Sequence, residues 1–250
     1  MHALLLSLLL GSVSGALTNA AQTDGQSGLL TRTISVGNKS YTYQVYVPSS
    51  LRGKQNVPVI LFLHGIGQRG EGGFIPVKGA AAAFARQYLE KVPAVVLLPQ
   101  CSRGLYWNDA EMERMVMAEL EQTADEFGAD AKRLYLTGVS MGGFGAWHMA
   151  AAHPEKFAAV VSICGGSPLR SGDRFAPIAR KVATTPVWVF HGSDDPIVPV
   201  SESRQMVEAL KNVGGNRVRY SEYEGVGHSV WFNALAERDL MPWLLAQHLD

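Results

Sequence analysis

Cysteine is scarce in this sequence: Cys101 and Cys164 are the only two in 250 residues, too few for a disulfide framework. An excess of charge is also missing. The chain carries 22 Lys+Arg against 22 Asp+Glu and no basic run, so it lacks the positive surface that draws phosphate backbones or anionic lipid headgroups. Neither nucleic acid nor a membrane surface is an expected partner. There is no internal repeat or low-complexity tract, and no Pro/Ser-rich or charge-rich stretch splits the chain, so one sizeable core is expected. What is present, 47% hydrophobic residues and 26 glycines, fits a compact fold with many tight turns.

The one long apolar run is N-terminal. Ala3 to Leu10 is almost wholly apolar, small residues follow, and Asn19 to Ser27 is polar. The run meets Gly11, Ser12, Ser14 and Gly15 early, well short of the roughly 20 residues of a membrane span. It reads as a secretory signal peptide over 1–20, with a linker over 21–29 and a catalytic domain over 30–250. A secreted or periplasmic location is the expectation.

Thr31 to Val36 and Tyr41 to Val47 alternate polar and apolar residues around Gly37-Asn38-Lys39-Ser40, the pattern of an antiparallel hairpin. Continuous apolar runs follow at Pro58–Leu63, Ala94–Leu98, Arg133–Leu136, Ala158–Ile163 and Val187–Phe190, with a more alternating Arg217–Tyr223; such runs suit strands buried on both faces. Between them lie helical patterns. Met112, Val116, Leu120, Thr123 and Phe127 share one helix face, and Ser201–Val213 runs into Gly214-Gly215, a helix stop. The expected fold class is α/β: a mostly parallel central sheet, helices on both faces and an N-terminal antiparallel hairpin. Ligands of such sheets bind at the carboxyl ends of the strands.

Gly138-Val139-Ser140-Met141-Gly142 lies between the strand pattern Arg133–Thr137 and the helical Phe144–Ala152, the setting of a nucleophile elbow. A serine hydroxyl needs a base at neutral pH. His228, in a loop after the final strand, is the candidate; His248 is three residues from a terminus in a surface helix pattern, and His148 and His153 read as packing or surface residues. The acid that orients the base should follow a late strand. Asp195, braced by Pro196, is preferred to Asp194, which reads as a turn or capping residue, with Asp173 a distant third. Two backbone N–H groups should hold the oxyanion: Met141, next to the nucleophile, and Ile66, in the loop after the first parallel strand. His64 reads as a support of that loop, and no second His, Cys or carboxylate stands at metal-ligand spacing around it. No cofactor and no metal is expected.

Leu63-His64-Gly65, Pro99-Gln100-Cys101, Gly138 through Trp147, His191 through Pro199 and Gly227-His228-Ser229-Val230-Trp231 together resemble exported esterases related to dienelactone hydrolases, polyhydroxybutyrate-depolymerase-like and feruloyl-esterase-like enzymes, and the predicted peptidases. The resemblance spans about residues 30 to 248. It implies the α/β-hydrolase fold and the triad Ser140, Asp195 and His228, with oxyanion donors at Ile66 and Met141. It does not carry over a substrate. In that fold the strands before Cys101 and Cys164 stand about three spacings of 4.8 Å apart, too far for a disulfide, so two free thiols are expected. The connection from Gly165 to Pro186 is too short for a cap domain, which leaves an open cleft, with Phe74, Trp107 and Trp231 as its aromatic wall beside Ile66 and Met141. The expected activity is hydrolysis of short-chain or aromatic carboxylic esters, with a small-molecule ester as substrate. Peptide hydrolysis and a noncatalytic binding role are the alternatives; the complete Ser/His/Asp set weighs against the second.

Overall fold

The computed structural model describes residues 26–72, 84 and 88–250. The stretch read as a signal peptide, most of the linker, and Phe74 lie outside the described residues. Among the described residues eight strands form one sheet: β1 (Gly28–Val36), β2 (Lys39–Val47), β3 (Val57–Leu63), β4 (Val95–Leu98), β5 (Ala129–Val139), β6 (Ala159–Ile163), β7 (Val187–Gly192) and β8 (Val218–Tyr223). Their spatial order is β1-β2-β4-β3-β5-β6-β7-β8. The β1/β2 hairpin and the β2/β4 pair are antiparallel, and every other pair is parallel. β1 starts two residues inside the stretch read as linker, because the ladder continues to the Gly28↔Val47 pair at the end of β2.

The period of two along buried strands divides the core in two. Val59, Leu61 and Leu63 face one layer, with α1 (Ala110–Phe127), α2 (Met141–Ala152), α3 (Ala176–Val182) and α4 (Ser201–Asn212). Ile60 and Phe62 face the other, with Phe84, α5 (Trp231–Ala236) and α6 (Leu240–Leu245). All seven residues of β3 are buried, so a polar substitution there has no face on which to reach water. Each fully buried Leu or Phe contributes about 1.5–3 kcal/mol relative to leaving it exposed.

The helices stop where the backbone permits it. Gly128 closes α1 in the left-handed region at φ 58°, a conformation that costs glycine little. α4 ends at Asn212, and its last turn is closed by the N–H of Gly215 donating to the Leu210 carbonyl (2.9 Å). On α1, Met112, Val116, Leu120 and Thr123 are buried as their spacing requires, and so is Glu119. No acceptor or donor reaches either Glu119 carboxylate oxygen among the described residues, and burial raises its pKa well above the ordinary value, so the side chain is held neutral. Cys101 and Cys164 are free and buried, with β3 and β5 between their strands.

Candidate active site

Ser140 sits at the carboxyl end of β5, in the middle of the sheet, with α2 starting at the next residue. Its backbone is in a sparsely populated region, φ 56° and ψ −118°, the kind of strain that persists only where surroundings enforce it. Here they do. Ser140 N–H donates to the Ile163 carbonyl of β6 (2.9 Å), and the Ser140 carbonyl accepts from the N–H groups of Gly143 (2.7 Å) and Phe144 (3.1 Å). The flanking glycines are required by close approach: a Cβ on Gly138 would overlap the Gly142 carbonyl, and a Cβ on Gly142 would overlap the Leu63 carbonyl. Strand, turn and helix cross so tightly that only hydrogen fits at either position.

The structure brings His228 and Asp195 to this serine. His228 Nδ1 lies 2.7 Å from Asp195 Oδ2, and Nε2 lies 2.9 Å from Ser140 Oγ. A carboxylate oxygen only accepts, so the proton of neutral His228 is on Nδ1, and the Nε2 lone pair faces the serine hydroxyl. Asp195 follows β7 and is held on several sides. Its Oδ1 accepts the N–H groups of Ile197 (2.8 Å) and Val198 (2.9 Å). Burial by itself would raise the Asp195 pKa; the hydrogen bonds from His228, Val198 and Ile197 outweigh it, and the carboxyl lies below its ordinary range, so it stays ionised. Asp194, one residue earlier, accepts from the Ser193 hydroxyl (2.6 Å) and belongs to the turn. Asp173 accepts the N–H groups of Phe175 and Ala176 at the start of α3 and takes no part in the site.

His191, at the end of β7, is a residue that the sequence did not single out. Its Nε2 faces the Val198 carbonyl (2.9 Å) and Asp195 Oδ2 (3.3 Å), both acceptors, so Nε2 carries the proton, and Nδ1 accepts from Ser203 Oγ on α4 (2.6 Å). Burial lowers its pKa, against the raising effects of the Val198 carbonyl and Asp195. His191 is thus a neutral strut that fixes both the acid and the chain segment that wraps it. Only the run of residues around Asp195 hinted at it; its partner Ser203 is twelve positions away.

His64, on the other side of Ser140, is completely buried. Its Nδ1–H donates to the Gly65 carbonyl (2.8 Å) and its Nε2 accepts the Cys101 N–H (3.1 Å). Burial pushes its pKa down to about 4. This ties the loop after β3 to the end of β4. Ile66 opens the short turn Ile66–Gln68 in that loop, and Met141 is the first residue of α2. Among the described residues no acceptor takes the backbone N–H of either one, and both residues line the same cleft as Ser140. His148 and His153 instead bind Glu113 (2.7 and 3.1 Å) on the flank of α2.

The cleft has a volume of about 210 Å³. Ile66, Met141, Phe144, Pro168, Ile197 and Val198 give it an apolar lining, to which Tyr106, Asn108 and Arg170 add polar groups. Two of the expected wall residues are elsewhere. Trp107 is fully buried, its ring 4.9 Å from that of His64 and its indole N–H donating to the His64 carbonyl (2.9 Å). It therefore braces the loop from below. Trp231 stands edge-on to His228 with ring centres 5.8 Å apart and packs against the core layer that contains Ile60 and Phe62; it backs the imidazole without lining the cleft. The neighbour of Trp107, Tyr106, takes the wall position with 38% exposure.

Cys164, Asp195 and His228 place ligand-type atoms within 4.8 Å of one another. The Asp195 oxygen is committed to His228 Nδ1 and the other His228 nitrogen to Ser140, so two of the three groups are already engaged with each other and with the serine.

A family model described as phospholipase/carboxylesterase matches residues 99–238. Acyl-protein thioesterase 1 of Gibberella zeae is 25% identical over 204 residues, which cover 70% of this chain and 85% of that protein. The crystal structure of a thermostable esterase is 33% identical with a TM-score of 0.76; the match covers 88% of this chain and 63% of that one, so this chain spans less than two thirds of its length. A ferulic acid esterase structure, 19% identical with a TM-score of 0.65 and coverage of 89% and 98%, shares the fold. The chain belongs to the phospholipase/carboxylesterase family and has the α/β-hydrolase fold.

Proposed function

We propose that the chain cleaves short-chain or aromatic carboxylic esters through an acyl-enzyme on Ser140, with His228 as general base and Asp195 as the orienting acid. The observation that carries this reading is the continuous chain from Asp195 through His228 to the strained Ser140 hydroxyl. In the first step Ser140 Oγ attacks the ester carbonyl and its proton passes to His228 Nε2; the alcohol then leaves with that proton as the carbonyl re-forms. In the second, water gives a proton to the same nitrogen and attacks the acyl carbonyl, Ser140 recovers its proton, and the acid departs. Asp195 remains ionised throughout and stabilises the imidazolium. The uncommitted N–H groups of Ile66 and Met141 serve the oxyanion, a contribution worth about 10²–10³ in kcat per donor.

The size of the cleft supports the acyl preference. About 210 Å³ with an apolar lining accommodates a short chain or one ring, and is below the roughly 300 Å³ at which ligand pockets commonly begin. Export belongs to the same reading and rests on the apolar Ala3–Leu10 run; loss of the N-terminal segment from protein recovered outside the cytoplasm would test it. For the activity, hydrolysis of 4-nitrophenyl esters from acetate to palmitate is measured with Ser140→Ala alongside. Activity that is greatest on short chains and vanishes in the variant is the expected result. Undiminished activity in the variant would refute the serine assignment, and a maximum at the longest chains would refute the acyl preference.

A further inference from the structure

The loop between β6 and α3 carries three charged residues, Arg170, Asp173 and Arg174, and the last two are engaged internally. Arg174 donates to both oxygens of Glu202 on α4 (2.8 Å each) and to the Leu169 carbonyl (2.9 Å). The same Glu202 accepts the Ser167 N–H (3.1 Å), and the Ser167 hydroxyl bonds the Arg174 carbonyl. Asp173 caps α3. The remaining charged residue of this braced loop, Arg170, is exposed and lines the cleft that contains Ser140. Among the described residues it has no carboxylate, carbonyl or aromatic partner, and it is the single charged side chain among those lining the cleft.

No carboxylate stands among the described residues that line the cleft. Tyr106 in that lining has the Arg69 guanidinium 5.2 Å from its ring centre. Asp109, the nearest carboxylate in sequence, accepts the Tyr106 N–H (2.7 Å). Asn108, which also lines the cleft, makes no side-chain hydrogen bond with the described residues, leaving an amide available to a polar substrate atom.

Accepting the ester-hydrolase reading of this cleft, we propose that Arg170 is a specificity-determining residue, and that the preferred substrates are esters bearing a carboxylate on the acyl or the alcohol portion. A planar guanidinium presents several donors to a carboxylate in a geometry that an ammonium does not match. Here the loop that carries Arg170 is fixed by its own hydrogen bonds, so the ordering needed when substrate binds is confined to the Arg170 side chain. The apolar lining holds the body of the ester, and the cation selects among bodies of similar size.

Two matched pairs of esters test this. On the acyl side, the mono-4-nitrophenyl ester of glutarate is compared with 4-nitrophenyl pentanoate; on the alcohol side, 4-carboxyphenyl acetate is compared with 4-carbamoylphenyl acetate. The expected result is that the parent favours the anionic member of one pair by about tenfold in kcat/KM, the scale of a charge-assisted hydrogen bond. The preference should reside in KM and shrink as salt is raised. The pair that responds identifies which portion of the substrate carries the charge. Arg170→Gln should bring the ratio close to one and Arg170→Lys should keep part of it. Neither change removes a bond within the loop, so both variants should fold. A parent whose Ser140-dependent activity ignores charge in both pairs overturns the assignment, as does a preference that survives in Arg170→Gln. Hydrolysis that persists in Ser140→Ala defeats the underlying reading instead, so the two failures are distinct.

Discussion

His64, at the end of the loop-bearing β3 side, and His228, after β8, flank Ser140 from opposite halves of the sheet. They are the same residue type in two electrostatic settings. Both nitrogens of His64 are closed by fixed backbone groups, and burial lowers its pKa to about 4. One nitrogen of His228 is closed by Asp195 while the other meets a hydroxyl that can give up its proton. The imidazole on the β3–β4 side therefore behaves as part of the frame, and the one on the β7–β8 side can take part in the reaction. His191 repeats the first pattern within the second region: neutral, buried and bonded to Ser203 and Val198. A histidine near a nucleophile becomes a base when its surroundings leave one nitrogen facing the reacting atom, not because it is near.

Substitutions can break this comparison at graded depths. The largest expected effects come from Ser140→Ala and His228→Ala, each lowering kcat by about 10⁴–10⁶ with the fold intact by circular dichroism. Asp195→Asn should cost about 10⁴ in kcat by presenting the wrong tautomer partner to His228, whereas Asp194→Asn should cost far less; the reverse order would reassign the acid. His191→Phe removes the strut behind the acid and should cost between about 10- and 100-fold, mostly in kcat, since the substrate contacts are untouched. His64→Leu should act first on stability, by about 1–3 kcal/mol, because it leaves the buried Cys101 N–H without its acceptor. If His64→Leu reduced kcat as deeply as His228→Ala while its stability was unchanged, the distinction between the two flanks would fail.

The smallest expected effect lies away from the site. Glu119 has a pKa raised well above the ordinary 4.5 by burial, so its folded form holds a proton that the unfolded chain releases. Stability contributed by the neutral carboxyl is complete below about pH 4.5 and is lost as pH rises toward the folded value. Glu119→Gln does not titrate, so its melting temperature relative to the parent should increase from pH 4 to pH 8. A constant difference across that range would show that Glu119 keeps its ordinary pKa.

Much of this architecture was legible from local pattern. Period two and continuous apolar runs located the strands, because each residue's burial on a sheet is set by its immediate neighbours. The Ser140 turn was legible as a local motif, although only Gly138 is crowded by a near neighbour, the Gly142 carbonyl, while Gly142 itself is crowded by the Leu63 carbonyl at the end of β3. What escaped depends on side chains meeting across the fold. Trp107 and Tyr106 are adjacent and both aromatic, yet one is sealed under the loop and the other forms the wall; both lie in an irregular turn with no period that assigns a side, and no composition rule registers it. The Trp231 indole backs His228, a contact between residues in one turn that still gave no hint of direction. Glu119 follows the buried spacing of α1, but its charge pointed to solvent. His191 and Ser203 come from a strand and a helix whose approach only the packed sheet reveals.

The most direct test of the central claim is to treat the protein with diethyl 4-nitrophenyl phosphate and locate the modification by peptide mass spectrometry while following esterase activity. The account predicts one diethylphosphoryl group on the Ser140 peptide, formed in step with loss of activity and much more slowly in His228→Ala. Inactivation with the label on another residue, or full activity in protein labelled at Ser140, would contradict it.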